Sequence, residues 1–143
     1  MFYNAERAKQ LISFDDMCYN GASFSDIDFC LEYRNKIWVI GDVKTEGKDV
    51  PKGQRYFLER FVNMARDGGR NAIAIIADHH VFDTKETVRL KDCKVREYYT
   101  SEVGMWAYPR RPYYVEEMVI NYISMFEGGN CNGQVASCLQ KTG

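Results

Sequence analysis

Six apolar residues in succession, Ala72 to Ala77 (AIAIIA), limit the fold more than any other stretch of this sequence. A short continuous apolar run of this kind reads as a strand buried on both faces, the habit of strands in mixed or parallel sheets covered by helices. Just before it, Pro51 suits the first turn of a helix. Phe57, Leu58, Phe61, Val62 and Ala65 then recur at helical intervals, and Gly68-Gly69 is a stop signal, so the pattern predicts a helix over 52–67. Earlier still, residues 25–33 and 37–45 are rich in β-branched and aromatic residues and read as a β-hairpin turning through Arg34, Asn35 and Lys36. A hairpin, a helix and a buried strand in that order require a crossover connection. The expected class is therefore α/β, a mixed β-sheet flanked by helices.

The remaining elements carry weaker signals. Asn4 is a good N-cap, and Ala5, Ala8, Leu11 and Ile12 keep helical spacing, so a helix is expected over 4–13. A short strand is expected at 17–20, another at 94–100 (KVREYYT), and an amphipathic helix at 114–126. Residues 127–143 are small and polar and read as a mobile tail, leaving 1–126 as one domain, a size compatible with a single core. No stretch of about 18 apolar residues suggests a membrane span, and the N-terminus lacks the pattern of a secretory signal. Five scattered cysteines suit free thiols in a reducing compartment, so a cytoplasmic protein is expected. Nineteen basic residues against twenty acidic ones weigh against a protein that coats nucleic acid by charge alone, since such proteins are strongly basic. An acidic site beside a locally basic face remains open.

The chemistry is concentrated between Ser25 and Gln54. Asp26 and Asp28 share one side of their strand, and Asp42 and Lys44 share one side of theirs, because strand side chains alternate. Whether the pairs meet depends on the turn. A two-residue loop pairs Tyr33 with Lys36 and sends the acids to opposite faces. A three-residue loop pairs Tyr33 with Ile37, bringing Asp28 across from Asp42 and Asp26 across from Lys44. The odd register is the one predicted, because it gathers all four side chains. Directly opposed strand residues have Cβ atoms roughly 5 Å apart. Two carboxylates at that distance repel unless a cation lies between them, and Mg²⁺, or Mn²⁺ in its place, accepts a few carboxylate oxygens with water. Gly41-Asp42 also interrupts an otherwise apolar stretch (Ile37–Ile40, then Val43), and a buried acid needs a partner or a metal.

This constellation resembles the PD-(D/E)xK nuclease superfamily. The likeness rests on Ser25-Asp26-Ile27-Asp28, on Asp42-Val43-Lys44, and on Gly53-Gln54 at the start of the next helix, and it covers roughly residues 4–78. It implies a restriction-endonuclease-like αβββαβ core. It also implies that Asp28 and Asp42 bind the metal together with Val43, that Lys44 is the catalytic lysine and that Gln54 supports the site. Some branches add an acid from the first helix, and Glu6 would match it. Ser25 stands where many members have Pro or Gly, and Asp42 where Glu is commoner. The implied activity is metal-dependent hydrolysis of phosphodiester bonds, with DNA ahead of RNA as substrate. The alternative is a module that keeps the fold and binds nucleic acid, or regulates, without cleaving.

Other features fit this reading less sharply. Asp78-His79-His80 follows the buried strand, where histidines are more often solvated than metal-bound. Arg89, Lys91, Lys94 and Arg96 lie along a β segment, and Arg110-Arg111 follow Trp106 and Tyr108. Basic residues mixed with aromatics suit nucleic-acid backbones and exposed bases. Lys48 and Lys52 flank the expected site and, with Arg55, Arg110 and Arg111, are the candidates for touching phosphates. An enzyme acting on a two-fold-symmetric duplex is often a homodimer, although no residue pattern here argues for one.

Overall fold

The computed structural model describes residues 12–14 and 17–127. The expected helix over 4–13, with Glu6, lies almost wholly outside them, as does the expected tail beyond Glu127. Two short strands, β1 (Cys18–Tyr19) and β2 (Ala22–Ser23), pair only with each other across Asn20-Gly21. The main sheet is built from β3 (Phe29–Tyr33), β4 (Ile37–Thr45), β5 (Asn71–His79), β6 (Lys94–Thr100) and β7 (Trp106–Ala107), hydrogen-bonded in chain order. β4 and β5 run parallel and every other neighbouring pair is antiparallel. Helix α1 (Lys52–Asp67) makes the crossover that a parallel pair demands. Helix α2 (Val115–Glu127) closes the described chain. The molecule is thus an α/β fold with a mixed five-stranded sheet, one helix against each face.

The two faces bury different layers, and the alternation of strand side chains decides which residues go where. Ile37 and Val39 of β4, Ile73, Ile75 and Ala77 of β5, and Val95 and Tyr98 of β6 pack against Met118, Tyr122 and Met125 of α2. Ile40, Ala72, Ala74, Ile76 and Tyr99 face Leu58, Val62 and Ala65 of α1. All six residues of the run 72–77 have no exposed surface, as a strand covered on both sides must. Full burial of side chains such as Leu58 and Val62 stabilises by about 2 kcal/mol each, so the seam along α1 is enough to hold the helix on the sheet. Tyr122 ties α2 down by donating its buried hydroxyl to the Ala72 carbonyl at 3.1 Å. Among the described residues no helix is long and apolar enough to cross a membrane.

The hairpin follows the odd register. Arg34 and Asn35 adopt left-handed backbone, and the Lys36 N–H donates to the Tyr33 carbonyl at 3.0 Å. Lys36 is then one residue too many for a two-residue loop, and Tyr33 pairs with Ile37. Strand β3 begins only at Phe29, so residues 25–28, expected as strand, lie outside the ladder. The physical reason is a side chain. The Val43 N–H donates to Asp28 Oδ2 at 2.7 Å instead of to a backbone carbonyl, which ends the pairing there. Before α1 the main sheet therefore holds two strands rather than the three of an αβββαβ order, and β1 and β2, of two residues each, remain a separate sheet. The helix over 52–67 and the strand over 94–100 coincide with expectation. β5 is longer at both ends than the apolar run, and β7 and the 3-10 turn at Leu90–Asp92 were not anticipated.

Candidate active site

The site forms where β3 enters the sheet and β4 leaves it, on the face that carries α1. One step beyond the paired residues Phe29 and Gly41, Asp28 stands across from Asp42. The approach depends on Gly41. A Cβ there would lie 2.0 Å from the Phe29 ring and 2.6 Å from the Ile75 carbonyl oxygen, so only glycine lets Phe29 fold over β4. Asp28 lies just before the strand, where it lines a cavity with Phe29, Val43 and His79 and brings its carboxyl within hydrogen-bonding reach of Asp42 across the sheet edge. Asp42 is buried at 5 % exposure. Lys44 brings its Nζ to 3.0 Å from Asp42 Oδ2, and both side chains are largely enclosed.

The neighbouring Asp42 carboxyl raises the cost of ionising Asp28. The Asp28 carboxyl is pushed up to about 6, mainly by burial and by the Asp42 carboxyl within hydrogen-bonding reach; the Val43 N–H and the Lys44 ammonium oppose the rise. Asp42 Oδ2 receives charge from Lys44 but no well-directed hydrogen bond, and the buried Oε1 of Gln54 has no donor among the described residues. Gln54, at the start of α1, lines a small pocket with Asp26, Asp42 and Phe57. Both acceptor atoms lack a hydrogen-bond donor, although Asp42 Oδ2 already faces the Lys44 ammonium, and a bound cation would satisfy them. Two carboxylates are within the usual Mg²⁺ complement. The carbonyl of Val43 leaves an extended strand on the same side as its N–H, toward Asp28. The residues present therefore fit a hard divalent cation, with Asp28, Asp42 and Val43 to hold it. Among the described residues no group of three or more His, Cys, Asp or Glu side chains is disposed to bind a metal, so the acids here number two. Glu6 lies outside the described residues.

Not every expected residue joins the site. Asp26, expected across from Lys44, lies outside the ladder and shares the pocket with Gln54 instead. Arg55, expected on phosphates, is committed: its guanidinium donates to both Glu97 oxygens at 2.9 and 2.8 Å and stacks on Trp106 with its carbon 4.9 Å from the ring centre. Arg111 is held by Glu117 at 2.8 Å and lies over Tyr113. Lys48, Lys52 and Arg110 are exposed to solvent. His79 lines a cavity with Asp28 and Val43, where Thr45 is 3.3 Å from its Nε2 and its Nδ1 accepts the Val81 N–H; His80 pairs with Glu46 at 2.7 Å.

Three functional-looking residues are not among the site candidates read from the sequence, although Asp78 and Arg96 are named there for other reasons. Asp78 sits beside Lys44 on β5, Arg96 donates to it, and Glu97 stands one strand beyond Ile76 in the row of Asp42. A signal existed for two of them. Asp78 ends β5 as Asp42 and Lys44 end β4, and parallel strands end at the same edge. Glu97 is an acid flanked by strand-forming residues, the same anomaly that marked Asp42. Arg96 is aimed by the bulge between Ile76 and Ala77, which no sequence pattern announces. No family model, curated protein or solved structure matches this chain. The reading of the site therefore rests on its geometry.

Proposed function

We propose that the chain is a divalent-metal-dependent nuclease with a restriction-endonuclease-like site, hydrolysing phosphodiester bonds, with DNA the first substrate class and RNA the second. The observation that carries this reading is the approach of Asp28 to Asp42 at the start of β3, with Asp42 buried beside the Lys44 ammonium. Mg²⁺ or Mn²⁺, when bound, supplies positive charge against the phosphate and lowers the pKa of water. The chain's own residues supply the rest. Asp28 and Asp42 hold the cation, and the Val43 N–H fixes the rotamer of Asp28. Lys44 has three donor hydrogens and holds its charge beside Asp42, which leaves donors to meet a phosphate oxygen or to orient the attacking water. Gln54 closes the site from the helix side. Lys48, in the loop between β4 and α1, and Lys52, at the first turn of α1, are exposed and would meet flanking phosphates.

The test is cleavage of linear, branched and single-stranded DNA, and of RNA, by purified protein. The reading expects hydrolysis with Mg²⁺ or Mn²⁺ that EDTA stops. It expects Asp42→Asn and Lys44→Ala to lower the rate by at least about 100-fold, the usual scale for losing one charge-stabilising group, with the fold intact by circular dichroism. Salt-sensitive binding without cleavage on any substrate would replace it with the non-cleaving module.

A further inference from the structure

The chain as a whole is slightly acidic, yet its basic residues gather beside the site. At the sheet edge where β4 and β5 end, a cleft of about 430 Å³ opens between β5, β6 and the loop after β7. That volume lies within the ~300–1,000 Å³ of small-ligand sites. Lys94, Arg96, Arg110 and Arg111 line it against only Glu46 and Asp78 among the acids. Asp78 neighbours Lys44 across one strand spacing, about 5 Å, so the cleft begins next to the catalytic lysine.

The cations are not equivalent. Arg96 is tied to Asp78 and to the Lys48 carbonyl, and Arg111 to Glu117. Lys94 and Arg110 have no ion pair among the described residues and face solvent. The same cleft is lined by Tyr108, 72 % exposed and followed directly by Pro109, whose ring restricts the backbone. A large ring left in water, on a segment that loses little freedom when it is covered, is a stacking platform rather than a packing residue. The neighbouring Trp106 shows the contrast: it is half-buried, covered by the Arg55 guanidinium, packed at a tilt against Tyr99, and donates to Glu59.

We propose that this cleft takes one unpaired nucleotide of a nucleic acid presented to the Asp28–Asp42–Lys44 site. Tyr108 stacks on the base, and Lys94 and Arg110 receive the phosphates on either side of it. A base inside a duplex has both faces covered by its neighbours, so only an unpaired base can offer one to Tyr108. The preferred substrate is then a single strand, or a duplex carrying one. The placement beside the site rests on the nuclease reading, but binding is measurable without cleavage.

The experiment is fluorescence anisotropy in EDTA with labelled single-stranded DNA and RNA of about 12 nucleotides and the blunt DNA duplex of the same sequence. Single strands of either sugar are expected to bind at least about tenfold tighter than duplex. Tyr108→Ala is expected to weaken single-strand binding about 5- to 100-fold, the range for one stacked base, while Tyr108→Phe keeps it. Arg110→Ala should weaken it further and lower its salt dependence. Tyr108→Ala binding single strands as wild type does, or losing duplex affinity by the same factor, would overturn the proposal. EDTA-sensitive cleavage indifferent to Tyr108→Ala would overturn the cleft and leave the nuclease standing. Tyr108-dependent single-strand binding with no cleavage under any metal would support the cleft and sink the nuclease.

Discussion

Asp28 and Asp42 are held closer than two free carboxylates would choose, and the strain of that closeness is measurable. Asp28 keeps its proton up to about pH 6, above the ordinary value of 3.8, so the folded chain binds this proton more tightly than the unfolded one. The stability that follows is full below about pH 4 and is lost as the pH rises through about 6. Asp28 is exposed to solvent, so screening reduces the full linkage value, and we expect on the order of 1 kcal/mol. Denaturant titrations in EDTA at pH 4.5 and 7.5 should show Asp28→Asn gaining on the wild type at the higher pH. An unchanged difference between the two proteins at both values would contradict the crowding. Lys44 supports the opposite prediction. Lys44→Met leaves Asp42 buried without its counter-charge and should cost about 2 kcal/mol in EDTA. Saturating Mg²⁺ should recover part of that loss, because a cation on Asp28 and Asp42 replaces the missing charge. A metal-independent loss would separate Lys44 from any cation site.

At the scale of elements, the hairpin aims these groups, and its geometry hangs on one atom that is absent. Gly41→Ala drives a methyl into the Phe29 ring and the β5 backbone, neither of which can retreat freely. We expect a loss of about 2–3 kcal/mol, the upper range for overpacking, with a further drop in Mg²⁺ affinity because displacing Phe29 moves Asp28. Calorimetry of unfolding and of metal binding would show both; a variant as stable as wild type would deny the close approach. The sequence made the hairpin legible because Ile37–Ile40 and Val43 are β-branched or aromatic and three residues separate the strands. The apolar run marked β5, and helical spacing marked α1. The fourth side of the site was not legible. Arg96 acts through a bulge, and Asp78 lies at a strand end where solvation is the commoner fate. Arg55 read as a phosphate ligand because its partner, Glu97, is distant in sequence and adjacent only once β6 joins the sheet.

Over the whole molecule, charge is close to balanced, so the nucleic-acid affinity proposed above would have to come from where the cations sit rather than how many there are. Two of the five phosphate ligands expected from sequence, Arg55 and Arg111, are spent on Glu97 and Glu117. Lys48, Lys52 and Arg110 remain, and the fold adds Lys94 on the same edge. Each phosphate neutralised on a single strand releases about 0.7 of a counterion, so four contacts give a slope of log K against log salt of about −3. A protein binding through its total of basic residues would show a much steeper slope, and one binding through bases alone a slope near zero. Removing Lys94 should reduce the slope by about 0.7, whereas Arg55→Gln should leave the slope unchanged while lowering stability through the orphaned Glu97. Anisotropy titrations from about 50 to 200 mM salt distinguish these outcomes, a range over which the binding constant should fall roughly 50-fold. A slope that responds to Arg55 and ignores Lys94 would mean the nucleic acid crosses α1 rather than the ends of β4 and β5, far from the cleft.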